Sequence, residues 1–290
     1  MIVPYYKSEN KDFTLLKGDS LELLKGFDFK FNALFADPPY FLSNGGISYQ
    51  SGEIVSVDQG DWDKESQQGD MDNFNRQWLS LCRDKLTDNG TIWISGTYHN
   101  IFSIATILKD LKFKILNMVT WVKTNAPPNI SCRYFKHSTE FIIWARKEEK
   151  TPHYFNYGLM KAINEDKQMT DVWRLPAIAQ WEKSCGKHPT QKPLSLLTRI
   201  ILSSTQPGDW IMDPFAGSST TGIAASLSGR RFLGIEREEE FTIMGKKRRI
   251  EIDNSDIRNA YISKLKDLSF VSEPLIASEP AGDYGRELPF

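Results

Sequence analysis

The sequence predicts an α/β domain with a mostly parallel sheet, and three observations carry that prediction. Short apolar runs alternate with stretches of helical periodicity, the pattern of strands joined by crossover helices. Two of the apolar runs end on an aspartate followed at once by proline, Asp37-Pro38 and Asp213-Pro214, so each strand stops at an acid and a turn. With 290 residues the chain can form one large domain, or a core domain with an inserted module.

Residues 13–17 and 31–36 read as buried strands, with a short helix at 20–25 between them. A helix over 73–85 ends near the Asp88-Asn89-Gly90 turn. A strand at 91–95, a helix at 100–111 and two strands at 113–123 and 140–145 follow. The alternation resumes with a helix at 194–205, a strand at 209–212, a helix at 221–228 and a strand at 231–235. A charged amphipathic helix over 238–252 comes next.

Three segments interrupt this order. Residues 41–72 are long, polar and glycine-containing, too long for an ordinary connection and so expected to be a functional loop or lid. Residues 146–187 carry irregular aromatic and basic content, including His153, Tyr154, Trp173, Arg174 and Trp181, and are expected as an insertion into the sheet domain. Residues 272–290, with two Glu-Pro pairs and little apolar periodicity, are expected as a loosely held tail.

The composition is that of an ordinary soluble globular protein. The first ten residues lack an apolar signal region, and no stretch is long enough to span a bilayer. Cys82, Cys132 and Cys185 are odd in number and scattered, which suits reduced thiols in a cytoplasm rather than disulfides or zinc ligands. The net charge of -1 hides an asymmetry: 1–110 carries 10 basic against 16 acidic side chains, 111–200 carries 15 against 7, and 201–290 carries 11 against 14. A basic middle third between acidic ones suits one face for a polyanion and a site elsewhere, although solvated lysines alone give the same count.

The most informative residues are Asp37-Pro38-Pro39-Tyr40. A carboxylate, two donor-free imides and an aromatic ring at a strand end are suited to gripping the exocyclic amine of a nucleobase while stacking on its face. The second constellation is Asp213-Pro214-Phe215-Ala216-Gly217-Ser218-Ser219-Thr220-Thr221, between a strand and a helix. Its small residues allow close backbone approach to a ligand, and the helix N-terminus favours acidic or polar ligand groups. It is neither a phosphate-binding loop, since no Gly-Lys-Ser/Thr follows, nor the glycine fingerprint of a nicotinamide cofactor. Glu236 closes the next strand, where an α/β nucleotide fold places the acid that accepts ribose hydroxyls. A third island, 187–193, holds His188, which reads as structural rather than catalytic, and Lys192.

These islands, in this order, resemble the β-class DNA amino-methyltransferases. The resemblance runs from Leu16-Lys17-Gly18-Asp19-Ser20 to Glu236-Arg237 and leaves out only the C-terminal tail. It implies a circularly permuted Rossmann-like, S-adenosylmethionine-dependent methyltransferase fold with an inserted target-recognition region. Asp37-Pro38-Pro39-Tyr40 with its flank Phe41 to Gly46, Gly60-Asp61-Trp62-Asp63, Asn129 to Phe135 and Asp171-Val172-Trp173 look like the adenine enzymes of Dpn-type restriction-modification systems, which act on GATC. One departure is Ser219, where the family usually has glycine. At positive φ a serine there would be mildly strained.

The implied organisation is a catalytic half at 1–145 with a DNA-facing lid at 41–72, target recognition at 146–187, a cofactor half at 188–271 and a tail at 272–290. Asp37, Pro38, Pro39 and Tyr40 would be catalytic, with the Asp37 carboxylate and the Pro38 carbonyl accepting the two N–H bonds of the adenine amine and Tyr40 stacking on the base. Cofactor contacts would come from Asp19 near the adenine ring (equally a helix N-cap), Ala36, Lys192 by the methionine carboxylate, Asp213, Pro214 through Thr221 around the methionine, and Glu236 on the ribose. Arg133, Lys136, Lys147, Lys150, Arg174, Lys183 and Lys187 are candidate DNA contacts, and no metal is needed. Implied partners are double-stranded DNA, with single-stranded DNA also admitted, a second copy in a homodimer, and a restriction endonuclease in functional pairing. A GANTC target, cytosine-N4 or RNA base methylation on the same scaffold, and a binding protein with a relic pocket are the competing readings.

Overall fold

The computed structural model describes residues 2–39, 47–50, 53–56, 68–186, 188–271 and 287–290. Short strand β1 (Tyr6–Lys7) leads to β2 (Phe13–Lys17), helix α1 (Ser20–Leu23) and β3 (Phe31–Ala36). A two-stranded hairpin, β4 (Ile47–Gln50) and β5 (Glu53–Ser56), precedes α2 (Gln68–Lys85), which begins five residues before the predicted start. Then come β6 (Leu86–Gly96), α3 (Ile101–Asp110), β7 (Lys114–Lys123), β8 (Thr139–Arg146), α4 (Tyr157–Ile163) and β9 (Val172–Leu175). The rest is α5 (Leu194–Ser204), β10 (Trp210–Asp213), α6 (Thr220–Leu227), β11 (Arg231–Glu236), α7 (Glu239–Glu251) and α8 (Ser255–Lys264).

Among the described residues nine strands form one sheet, in the order β1-β2-β11-β10-β3-β6-β8-β7-β9. From β2 to β6 every neighbouring pair is parallel, whereas β8 is antiparallel to both β6 and β7. Alternating side chains split the core into two layers. Phe35, Trp93 and Ile211 face α5 and α6, while Leu34, Ile92, Ile94 and Met212 face α2 and α3. On the first face Trp93 stacks on Trp144 at 4.7 Å, and its indole N–H donates to Ser204 at 3.0 Å.

The connectivity creates a crevice. From β10 the chain crosses through α6 to β11 on one side, and from β3 it crosses through α2 to β6 on the other. The sheet order therefore reverses between β10 and β3, and ligands of open α/β sheets bind at the carboxyl ends beside such a reversal. The strand before the cofactor-type turn, β10, comes late in the chain although it sits centrally, which is the expected permutation.

Three expectations change. The Asp88-Asn89-Gly90 turn is an excursion inside β6: Phe31 pairs with Leu86 and Ala33 next with Thr91, so the extra residues bulge out of the ladder. Residues 146–187 are not set apart from the sheet, since β9 is its ninth strand and Trp173 is buried in the core beside Trp93. Residues 272–286 lie outside the described residues, but the last four are held rather than loose. Leu288 is buried, and the Phe290 ring packs edge-on against Phe27 at 5.6 Å because two apolar side chains survive at the chain end. Among the described residues no helix is long and apolar enough to cross a membrane.

Candidate active site

Register alone aligns four acids. Asp213 pairs with Gly234, Glu236 with Lys17, and Met212 with Leu34, so the carboxyl ends of β2, β11, β10 and β3 lie side by side. Each strand delivers one carboxylate at or just past its end: Asp19, Glu236, Asp213 and Asp37. Three of them, Asp19, Asp37 and Glu236, border a cavity of about 390 Å³ whose walls also include Pro38, Pro39, Pro214, Phe215 and Gly217, all expected, whereas Asp213 is buried behind the wall. Leu21, Phe74, Ile235 and Phe241 add apolar surface that was not expected.

The turn after β10 is built by its own acids. Asp213 accepts from the Phe215 N–H at 3.0 Å and from the Thr221 hydroxyl at 2.5 Å, closing the turn onto the start of α6. Burial, with Asp37 and Glu236 adding to it against these hydrogen bonds, pushes its carboxyl up to about 7. Glu236 takes the Gly217 N–H on one oxygen and the Glu238 N–H on the other, both at 2.7 Å, which fixes the carboxylate plane toward the cavity. Burial still outweighs those donors and raises its proton affinity. The Ser20 hydroxyl donates to the Pro214 carbonyl, tying α1 to the turn. Asp19 is the N-cap of α1, accepting from Leu21 and Glu22, and it also lines the cavity.

Beneath the turn lies a residue that the sequence does not single out. Arg248 of α7 is buried and donates to the Ser218 carbonyl at 2.8 Å, the Ser218 hydroxyl at 3.1 Å and the Thr220 hydroxyl at 2.8 Å. Ala36, Ala216, Ser218, Ser219, Thr220 and Thr221 are likewise buried behind the wall rather than on it. Ser219 does take a left-handed conformation, φ 60° and ψ 34°.

Asp37 follows β3 directly and is mostly buried. Lys192 is not on the cavity wall. Its ammonium donates to Asp37 at 2.5 Å and stands 3.7 Å from Glu140, which in turn binds Lys123 at 2.5 Å. Burial would raise the Glu140 carboxyl, but the Lys192 and Lys123 ammoniums beside it hold it below the usual range. Sequence reasoning misses Glu140, whose only signal is an acid opening an apolar strand. His188 lines the cavity against Gly217 and packs on Phe241 at 4.1 Å. Burial, with Lys192 and Arg248 nearby, lowers its imidazole to about 4, so it is neutral. Its Nδ1 accepts from Thr190, which leaves the proton on Nε2.

The expected DNA contacts divide by place. Arg133, Lys136 and Arg174 are exposed and lie at or beyond the carboxyl edge, since β7 ends there and β9 runs parallel to it. Lys183 follows in a half-buried 3-10 turn. Lys147 and Lys150 are corrected to the opposite edge, because β8 runs antiparallel to β6 and carries them past Thr91. There Lys147 pins the β6 excursion through the Leu86 carbonyl and Asp88. Tyr40 and Lys187 lie outside the described residues.

Comparison with known proteins agrees with this geometry. A family profile for DNA methylases of the N6/N4 type matches residues 31–247. The chain is 53% identical over 266 residues to the type II methyltransferase M2.MboI of Moraxella bovis, covering 91% of this chain and 97% of the relative. It is also 53% identical to M2.DpnII of Streptococcus pneumoniae, over 88% and 94% of the two chains. The crystal structure of an M1.HpyAVI–SAM complex superposes with a TM-score of 0.63 at 31% identity, over 81% of this chain and 98% of that one. PvuII DNA methyltransferase, cytosine-N4-specific, shares the fold at a TM-score of 0.67 and 20% identity, over 90% and 95%. A profile spanning most of the chain and near-full-length relatives at this identity leave one conclusion: the chain belongs to the N6/N4 DNA methylase family.

Proposed function

We propose that the protein is a site-specific DNA methyltransferase that moves a methyl group from S-adenosylmethionine to N6 of a flipped adenine, within GATC, in a cytoplasmic restriction-modification system. The observation that carries this reading is the position of Asp37. It borders the cavity at the reversal point of the sheet, with Pro38 and Pro39 beside it and an ammonium fixing its carboxylate.

The cavity fits the cofactor. Glu236 presents a carboxylate held by two backbone N–H groups, suited to a pair of ribose hydroxyls. Gly217, at φ 49°, keeps the turn free of a side chain, and a Cβ there would stand 2.9 Å from His188. Leu21, Phe74 and Phe241 offer apolar surface to a purine, and the surrounding acids favour a cation. When bound, S-adenosylmethionine supplies an electrophilic methyl on a sulfonium. Asp19 borders the cavity for the adenine ring, the 214–221 turn is assigned to the methionine part, and Lys192 is reassigned from its carboxylate to Asp37.

The adenine amine is a weak nucleophile because its lone pair is delocalised into the ring. Asp37 and the Pro38 carbonyl accept its two N–H bonds and align the lone pair with the methyl, a preorganised electrostatic effect without a covalent intermediate. N6 is out of reach inside a duplex, so the base must be extruded, at about a few kcal/mol. Tyr40 is assigned to stack on it. Arg133, Lys136, Arg174 and Lys183 would hold DNA along the carboxyl edge, with 41–72 as lid, 146–187 contributing base readout, and a homodimer and a paired endonuclease as partners.

Identity to M2.MboI and M2.DpnII supports the type II setting, and the flanks of the tetrapeptide resemble the GATC enzymes. Incubating DNA with methyl-labelled cofactor and digesting it to nucleosides tests the chemistry: N6-methyladenine is expected, and label in N4-methylcytosine refutes it. Mapping the modified sites then separates GATC from GANTC.

A further inference from the structure

The loop joining β7 to β8, residues 124–138, leaves from the edge that carries Asp37, because β8 places Phe141 opposite Gly96 at the carboxyl end of β6. Its stem is tied to the site by charge, through Lys123, Glu140, Lys192 and Asp37 in turn. Within it the chain winds tightly around Asn129. The Asn129 amide donates to the Tyr134 carbonyl at 2.6 Å, and its oxygen accepts from the Ser131 N–H at 3.0 Å. Cys132 takes φ 53° inside this turn.

The result is a fixed presentation of two adjacent rings to water. Phe135 is 96% exposed and Tyr134 61%, and the cations Arg133 and Lys136 bracket them. A scattered surface apolar residue needs no explanation, but an aromatic pair held out by a hydrogen-bonded turn beside a catalytic edge does. Behind the tip, His137 stacks on Tyr98 at 5.8 Å, two residues past the end of β6, so the loop is braced against the site. Five residues of extended chain reach at most about 18 Å, which bounds the distance from Phe135 to Glu140.

We propose that this loop is a wedge for duplex DNA. Phe135, backed by Tyr134, enters the base stack beside the extruded adenine, and Arg133 and Lys136 hold the neighbouring phosphates. This rests on the reading of the chain as a DNA adenine methyltransferase. Extrusion leaves two apolar base faces exposed, and an aromatic ring in the gap replaces the lost stacking and holds the opened state. Phe135 does not touch the reacting atoms; it acts on the opening equilibrium.

The test compares Phe135→Ala, Phe135→Trp and wild type on two GATC duplexes, one with the target adenine paired to thymine and one with it opposite an abasic site. Phe135→Ala should lose roughly ten- to a hundredfold in kcat/KM on the paired duplex, the range of one lost base–aromatic stack. It should return to the wild-type rate on the abasic duplex, and Phe135→Trp should keep both rates. Fluorescence of 2-aminopurine at the target should rise on binding of wild type and less with Phe135→Ala. Equal losses on both duplexes, or none on either, overturn the wedge. A wild-type enzyme that methylates neither duplex refutes the reading as a GATC adenine methyltransferase instead, so the two failures are distinct.

Discussion

Lys192 donates to Asp37 at 2.5 Å with both side chains largely buried, and the second carboxylate near the same ammonium, Glu140, stands 3.7 Å away. The shorter contact belongs to the residue assigned to the adenine amine. A charge-assisted bond of this kind fixes the carboxylate plane before any base arrives. Glu140 answers the excess positive charge of Lys192 and Lys123, so neither ammonium is buried without an anion.

Replacing Lys192 by methionine should therefore strike kcat more than cofactor affinity. A loss of about a hundredfold in kcat is expected for removing a preorganised charge partner, with the cofactor Kd from calorimetry nearly unchanged. A Kd weakened to a similar degree would instead put Lys192 on the methionine carboxylate. The variant should also lose about 3 kcal/mol of stability, since Asp37 and Glu140 lose a buried counter-charge. Adding Glu140→Gln should restore much of the stability but not the rate.

Asp37→Ala is expected to abolish methyl transfer while cofactor binding survives, because the side chain is proposed to grip the amine and only borders the cavity. Asp37→Asn tests the same point more gently. It keeps the size but swaps one acceptor for a donor aimed at the N–H bonds, so turnover should stay near that of the alanine variant. Substantial turnover by either variant would remove Asp37 from the chemistry.

Asp213 gives a pH signature. Its carboxyl lies at about 7 in the fold, chiefly through burial, against an ordinary value of 3.8. Between those values the folded protein binds more protons at this position than the unfolded chain, so stability falls as pH rises from about 4 to about 7. Asp213→Asn keeps an acceptor for the Phe215 N–H and offers a donor to Thr221, and it cannot ionise. Urea midpoints from pH 4 to 8 should slope downward in wild type and less so in the variant. Equal slopes would show that Asp213 is not the titrating group.

Much of the fold is legible in the sequence because its signals are local. The strands 13–17 and 31–36 are short apolar runs with sharp ends, and the turn after Asp213 declares itself by composition. What escapes depends on partners far along the chain. β9 contains the charged Arg174 and is a strand only because β7 offers it an edge. Arg248 reads as one of four basic residues on a solvated helix, yet it is buried under a turn thirty positions earlier. Lys147 and Lys150 group with the candidate DNA contacts by charge, and only the antiparallel run of β8 shows that they leave at the far edge.

Ser219, in the turn after β10, and Gly245 of α7 should be energetically coupled. Ser219 is fully buried at φ 60°, its hydroxyl makes no hydrogen bond among the described residues, and a Cβ on Gly245 would stand 2.4 Å from that oxygen. Ser219→Gly relieves a left-handed serine and an unsatisfied hydroxyl, partly offset by a freer unfolded chain, so a gain of about 1 kcal/mol is expected. Gly245→Ala alone should lose about 1–3 kcal/mol, the clash outweighing alanine's better helix propensity. In the Ser219→Gly background the nearest atom to the new methyl becomes Leu15 Cδ1 at 3.2 Å, and the same change should become neutral or stabilising. A double-mutant cycle by urea denaturation should therefore give a coupling of about 1–3 kcal/mol. Additive effects would mean that α7 moves away from the turn, and that glycine at 245 does not depend on the serine at 219.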